Sequence, residues 1–264
     1  MAQISAQLVR ELREKTGAGM MDCKKALVEA NGDISAAVDV LRKSGIAKAE
    51  KKSGRSAKEG LISSIVSDNN GTLVEVLSET DFVAKNDKFQ AYVADVTKKV
   101  SEFTNLNDVS AEINNLEKEN LISLIATIGE NIQIRRAAHW AGKCASYLHM
   151  GGKIGVMVEY KGDATKEALN DICMHITAFS PQYVRPEEIS SEVTNKEKEI
   201  HSAQLAGKPA EMIEKILIGK LGKWHKEVCL NKQPWVRDDK LSVEKANPTI
   251  SIKRFARWQV GEEL

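Results

Sequence analysis

Apolar positions recur at two spacings along the chain, and the spacing changes where the architecture changes. Up to Gly45 the spacing is three and four residues, the mark of helix faces. Ile4, Leu8, Val9 and Leu12 form a first stripe, with Ser5 as N-cap and Thr16-Gly17-Ala18-Gly19 as stop. Cys23, Ala26, Leu27 and Ala30 form a second, ended by Asn31-Gly32. Asp33 caps a third, made of Ile34, Ala37, Val38 and Leu41, and Gly45 reads as its end. Few of these side chains are large, so the bundle has a thin core and leans on a neighbouring domain or a partner.

From Leu61 the pattern turns to strands and repeats itself. Leu61-Ile-Ser-Ser-Ile-Val-Ser67 is joined through Asp68-Asn-Asn-Gly71 to an apolar run ending at Glu79, and a helix follows. Ala145-Ser-Tyr-Leu-His-Met150 is joined through Gly151-Gly152 to Lys153–Tyr160, again with a helix after it (Ala168, Leu169, Ile172, Cys173, Ile176). Each unit is a hairpin and then a helix, with Gly or Asn placed where a turn takes positive φ. Ile132, Ile134, Ala138 and Trp140 alternate with polar neighbours, as do Ile250, Ile252, Ala256, Trp258 and Val260, and these supply further strands. Residues 187–229 have another texture: Ile189, Val193 and Ile200 mark one helix, and Ile213, Leu217, Leu221, Trp224 and Val228 a return helix. Gly207-Lys208-Pro209 separates them, the punctuation of a helical hairpin. Its large apolar residues need a surface, which makes it a docking or dimerisation element.

The first unit turns its corner at Thr80-Asp81-Phe82-Val83-Ala84-Lys85-Asn86. Thr80 is the expected N-cap of a long helix whose stripe is Phe89, Tyr92, Val93, Val96, Val100 and Phe103, and Asp81 suits the positive end of its dipole. Phe82 admits two readings: a core aromatic at a well-capped helix start, or a probe that enters another protein. Met20-Met21 poses the same choice, since adjacent helical residues cannot both face one core and methionine seats readily on irregular surfaces.

Composition narrows the field. Lys+Arg 38 against Asp+Glu 37 leaves almost no net charge, which argues against a general nucleic-acid scavenger. Cys23, Cys144, Cys173 and Cys229 lie far apart and read as reduced core thiols. The charged residues Arg10 to Lys15 come too early for a secretory signal, and no window is apolar enough to cross a membrane, so the chain reads as soluble and cytoplasmic, with no membrane partner. Residues 42–58 hold seven basic side chains against Glu50 and read as a solvated hinge, with phosphate binding weakly signalled because no aromatic is present. Gly151-Gly-Lys-Ile-Gly155 lacks the spacing of a phosphate loop, and His139 and His149 have no carboxylate at metal-ligand spacing. Nothing calls for a cofactor, a metal or an enzyme, and weight shifts to binding.

The motifs then converge. Leu12-Arg13, Thr16-Gly-Ala-Gly-Met-Met-Asp-Cys-Lys-Lys-Ala-Leu27, Asn31-Gly-Asp33 and Leu41-Arg-Lys-Ser-Gly45 resemble the amino-terminal domain of the translation elongation factor Ts family. Thr80-Asp-Phe-Val-Ala-Lys-Asn86 and Ile128-Gly-Glu-Asn-Ile132 resemble the two signatures of its core. The match runs in order across nearly the whole chain.

The resemblance implies an α+β protein that promotes GDP release from the GTPase elongation factor Tu. Its layout would be a three-helix, UBA-like domain (1–45), a basic linker (46–59), a core subdomain (60–140), a second one (141–186 and 230–264), and an inserted hairpin (187–229). It implies that Thr80, Asp81, Phe82 and Val83 form a wedge near the GTPase's magnesium site. It further implies contacts at Arg13, Met20, Met21, Lys52, Ile128, Gly129 and His149, the last reaching the GTPase's third domain. A homodimer, or a 2:2 complex with the GTPase, stays open. Three departures stand out: the chain stops at Gly261-Glu-Glu-Leu264 without the short helical module the family often carries, the turn after His149 is one residue longer, and Glu79 replaces a glutamine. The rival reading is an RNA-binding accessory protein that uses residues 42–58.

Overall fold

A computed structural model describes residues 4–104, 107–203, 205 and 209–264. The chain divides into two compact units: the chain up to Ser63 with Leu73–His139 and Gln259–Leu264, and Ser64–Thr72 with Trp140–Trp258.

The first unit opens with α1 (Ala6–Thr16), α2 (Met20–Glu29) and α3 (Ile34–Lys52). The caps fall as the sequence implied: Ser5 accepts from the Leu8 amide and Asp33 from the Ala36 amide at 2.8 Å. Val9, Leu12, Cys23, Ala26, Leu27 and Ala37 make a small buried cluster. Gly45 does not end α3. It is buried, and a Cβ there would lie 3.5 Å from Ala126 and 3.7 Å from Ile122, so the missing side chain lets a second helix approach. Thus the part of the presumed hinge up to Lys52 is helical.

Next come β1 (Glu59–Val66), β2 (Asn70–Ser78), α4 (Asp81–Ala84), α5 (Asp87–Ser101), β3 (Asn107–Asp108), α6 (Ser110–Ile128) and β4 (Gln133–Ala141). The sheet has the order β1-β2-β4-β3. Val74 and Val76 of β2 pack with Phe89, Val93, Val96 and Val100 of α5 and with Ile113 and Ile125 of α6, so the two helices cover one face. The single long helix expected from Thr80 is in fact two, because Asn86 caps α5 by accepting from the Lys88 and Phe89 amides. Nor does the first hairpin use positive φ at Gly71. A Cβ there would meet the Cys144 Cβ at 2.6 Å, so close approach dictates the glycine. Helix α6, against which Gly45 packs, was absent from the sequence reading.

The second unit contains β5 (Cys144–His149), β6 (Ile154–Gly162), α7 (Lys166–Phe179), α8 (Ser191–Ala203), α9 (Ala210–Val228), β7 (Pro234–Trp235), β8 (Asp238–Ser242), α10 (Val243–Ala246) and β9 (Ile250–Gln259). Strand order β5-β6-β9 confirms the late strand as the completion of this sheet. Val156 and Val158 pack with Ile172, Cys173 and Ile176 of α7, which gives hairpin then helix once more. Ile189 precedes α8, and Pro209 is the N-cap of α9, one position before the first turn. Gly207 and Lys208 lie outside the described residues. All four cysteines are free and buried, and burial pushes the thiols of Cys144 and Cys229 up to about 11 and that of Cys173 up to about 12. Among the described residues no helix is long and apolar enough to cross a membrane.

Candidate functional site

Strand β2 is buried along nearly its whole length and delivers the chain, extended at Thr80 (φ −125°, ψ 156°), into the single turn of α4. Helical rotation of about 100° per residue splits that turn between inside and outside. Ala84 is buried and Val83 rests against the core, which sends Phe82 outward with 80% of its surface exposed. The structure therefore rejects the core-aromatic reading of Phe82. Asp81 accepts from Lys85 Nζ at 2.9 Å, an exposed pair one helical turn apart.

Thr80 is positioned as an N-cap but makes no side-chain capping bond. Its hydroxyl donates instead to Glu130 Oε1 at 2.7 Å, while its amide donates to Glu130 Oε2 at 3.0 Å. The hydroxyl proton is thus directed at Glu130, and its oxygen takes no amide of α4. Next to it the Asn131 amide donates to Glu79 Oε1 at 2.7 Å. Asn131 Nδ2 donates to the Arg55 carbonyl at 2.8 Å, and Arg55 lies 3.6 Å from Glu79 Oε2. Glu79, the departure from the family pattern, is thus absorbed by two partners.

Three chain segments meet at this base: the end of α3, the exit of β2 and the end of α6. Gly129 closes α6 in the left-handed region (φ 91°), its amide donating to the Ile125 carbonyl at 2.9 Å. A Cβ on Gly129 would sit 3.7 Å from Lys52 Nζ, so Lys52 belongs to the same neighbourhood. Burial, and secondly Arg55, hold the Lys52 ammonium below its ordinary value, with Glu79 and Glu130 acting in opposition. Ile128 is half-buried and packs on the core.

The other candidates sit elsewhere. Arg13 is exposed in the last turn of α1. Met20 and Met21 open α2 and are 58% and 64% exposed, because Cys23, Ala26 and Leu27 occupy the inward face. His149, in the second unit, ends β5 opposite Ile154, and Tyr147 Oη lies 3.1 Å from its Nδ1. The turn beyond it takes positive φ at Met150, Gly151 and Gly152, and Met150 is left exposed at its tip. Sequence reasoning assigned no role to Arg55, Glu130 or Asn131. Glu130 and Asn131 lie in the Ile128–Ile132 signature, but their partners sit fifty or more positions away and that of Arg55 on another element, so no local spacing shows the bonds. Among the described residues no cluster of three His, Cys, Asp or Glu is placed to hold a metal ion.

Comparison with known proteins gives the family. The family model described as Elongation factor TS matches residues 79–262, starting at the residue before Thr80. A protein named Elongation factor Ts from Halothermothrix orenii is 44% identical over 287 residues, covering 99% of this chain and 93% of its own length. Proteins of the same name from Clostridium botulinum and Nautilia profundicola are each 43% identical and cover 99% and 100% of the chain. Their matches take in the helices before Glu79 as well, and on this evidence the chain belongs to the elongation factor Ts family of translation elongation factors.

Proposed function

We propose that this chain is a guanine-nucleotide exchange factor that binds elongation factor Tu·GDP and promotes GDP release. The observation that carries the reading is Phe82, a large aromatic held 80% exposed on a corner whose base is tied by Glu130 and Glu79. An exposed aromatic on a fixed corner costs little ordering on insertion, so most of its burial energy is free to displace the partner's own packing.

GDP is held in such a GTPase through its phosphates and a magnesium ion that neutralises them. Thr80, Asp81, Phe82 and Val83 act as the wedge: Phe82 separates packed elements near that ion, and Asp81 brings a carboxylate into the loops around it. Arg13, Met20 and Met21 on the helical domain, Lys52, Ile128 and Gly129 beside the corner, and His149 in the second unit hold the partner. Linkage requires bound GDP to weaken the factor as much as the factor weakens GDP. No covalent step is involved, and the protein is not an enzyme in the usual sense. The reading places it in the cytoplasm and keeps the two core subdomains and the 187–229 hairpin as a docking or dimer arm, with the helical domain running on to Lys52.

The RNA-binding alternative fares worse. Arg42 pairs with Glu119, Lys48 with Asp22 at 2.8 Å and Arg55 with Glu79, so three of the basic residues in 42–58 already face carboxylates. The test is release of a labelled GDP from the GTPase, with and without this protein, across a salt series. Acceleration with a shallow salt dependence supports exchange. No acceleration, together with RNA affinity that falls steeply with salt, favours the alternative.

A further inference from the structure

A helix of four residues cannot set its own direction. One turn lies below the length at which helices hold themselves together, and α4 lacks even a side-chain cap. Its pose comes from tethers at its ends. At the C-terminal end Ala84 is buried, Val83 packs on the core, and Gln90 Nε2 donates to the Ala84 carbonyl at 3.3 Å. At the N-terminal end Ser78 Oγ donates locally to the Thr80 carbonyl at 3.0 Å, and a pair of hydrogen bonds runs to a carboxylate on another element. Glu130 accepts from both donors of Thr80, at 3.0 and 2.7 Å, which fixes the backbone entry and the Thr80 side chain together. The arrangement is reciprocal, since Glu79 accepts from the Asn131 amide at 2.7 Å while Glu130 accepts from the Thr80 amide. Two antiparallel carboxylate-to-amide bonds thus lace residues 79–80 to residues 130–131. Asn131 extends the lacing to the end of α3 through the carbonyls of Arg55 and Ser53.

We infer that Glu130 is the positioning residue of the Phe82 corner: its carboxylate, and no bond internal to α4, sets the direction in which Phe82 leaves the fold. Glu130 need not touch the GTPase for this. Its removal should leave Phe82 present and exposed but free to swing, which lowers the rate at which a bound factor expels GDP more than it lowers binding. The kinetic part rests on the exchange reading, and the conformational part does not.

The experiment has two arms. In the free protein, amide hydrogen exchange of residues 80–85 is compared between wild type, Glu130→Gln and the pair Thr80→Val and Thr80→Ser. Glu130→Gln removes the charge and turns one acceptor oxygen into a donor facing a donor. Its exchange at the corner should be faster by about tenfold, the factor that corresponds to losing one net charge-assisted bond. Thr80→Ser keeps both donors and should exchange more slowly than Thr80→Val. In the second arm, stopped-flow GDP release gives a limiting rate and a half-saturating concentration. Glu130→Gln should lower the limiting rate by about tenfold while moving the half-saturating concentration less than about threefold, and Thr80→Ser should release faster than Thr80→Val. Corner exchange equal to wild type in both Glu130→Gln and Thr80→Val overturns the inference, as does a loss confined to the half-saturating concentration. If Glu130→Gln does not fold, the Thr80 pair decides alone, and equal behaviour of the two variants overturns it. Failure of the wild-type protein to speed GDP release sinks the exchange reading, and the free-protein arm still decides the tether.

Discussion

Phe82 and Phe89 are the same side chain seven positions apart with opposite surroundings, and replacing each by alanine separates function from folding. Phe89 is completely buried against the sheet, and its truncation should cost about 3–5 kcal/mol. Phe82 is 80% exposed. A wholly buried phenylalanine hides roughly 150–250 Å², so the covered fifth is on the order of 40 Å². At about 25 cal/mol per Å², that portion is worth about 1 kcal/mol. The better helix propensity of alanine offsets a few tenths, roughly 0.5 kcal/mol. The net loss for Phe82→Ala should stay below about 1 kcal/mol, a fall in Tm of only about 2–4 °C for a chain of this size. Urea titration of both variants checks the stability side. Stopped-flow GDP release at saturating factor checks function, where Phe82→Ala should be slower by about tenfold or more, equivalent to about 1.4 kcal/mol of lost barrier reduction. Equal destabilisation by the two substitutions would refute the placement of Phe82 outside the core. A wild-type release rate in a folded Phe82→Ala would refute the wedge.

Met20 and Met21 changed together to alanine should lower the stability read from urea titration by less than about 1 kcal/mol, since both are more than half exposed, yet raise the concentration of factor needed for half-maximal release. Glu75 lies wholly buried, 2.5 Å from Arg136 Nε and 3.5 Å from Arg135 Nη1, and accepts from the Gly261 amide at 3.0 Å. Glu75→Leu removes the carboxylate the two guanidinium groups share, though Arg136 keeps Glu262 Oε1 at 2.7 Å and Arg135 the Glu262 carbonyl. It should cost about 1–3 kcal/mol by urea titration, and a loss under about 1 kcal/mol would show that the cluster contributes little. His175 stacks on Phe179 and Trp235, with Gln233 Oε1 3.0 Å from its Nε2, and burial holds its imidazole below the ordinary value despite that bond. The neutral ring is the folded form, so stability is complete above the unfolded value of about 6.5 and falls as pH drops below it. The urea midpoint should therefore decline between about pH 7 and about pH 5.5, and decline less in His175→Gln. Parallel curves would put the dependence elsewhere, with His139, also held low by burial, the next group to replace.

Elements with strong periodicity were readable because one face decides them. The stripe from Phe89 to Val100, the hairpin-helix repeat and the late strand all follow from alternation or a 3.6-residue period, and they stand where that pattern put them. Gly45 shows where such reading fails. A glycine after a helical stripe carries the same local signal whether it ends the helix or lets another helix approach, and the distinction lies in Ile122 and Ala126, almost eighty positions on. Gly71 repeats the point: turn chemistry suggested positive φ, whereas the constraint is Cys144 pressed against it. Local sequence names the permissive residue, and tertiary contacts choose which of its freedoms is used.

The corner shows the same division at the level of function. Thr80, Asp81 and Phe82 are marked by type, because an aromatic and an acid where a strand meets a helix are conspicuous in any sequence. What fixes the pose of Phe82 is carried by Glu130 and Asn131, which the Ile128–Ile132 signature includes without showing what they bond. Sequence points Thr80 to capping because N-cap preference is a local rule, derived for helices that must satisfy their own amides. Here the hydroxyl donates to a carboxylate fifty positions away and its oxygen takes no α4 amide, which leaves α4 uncapped and dependent on the rest of the fold. A corner built this way gives up a little local helix stability, of the order of 1 kcal/mol for a lost cap, and gains a direction enforced by three separate segments. On the exchange reading, insertion into a partner rewards rigidity of pose over helicity, and a corner tied by three segments suits that use better than a locally capped one.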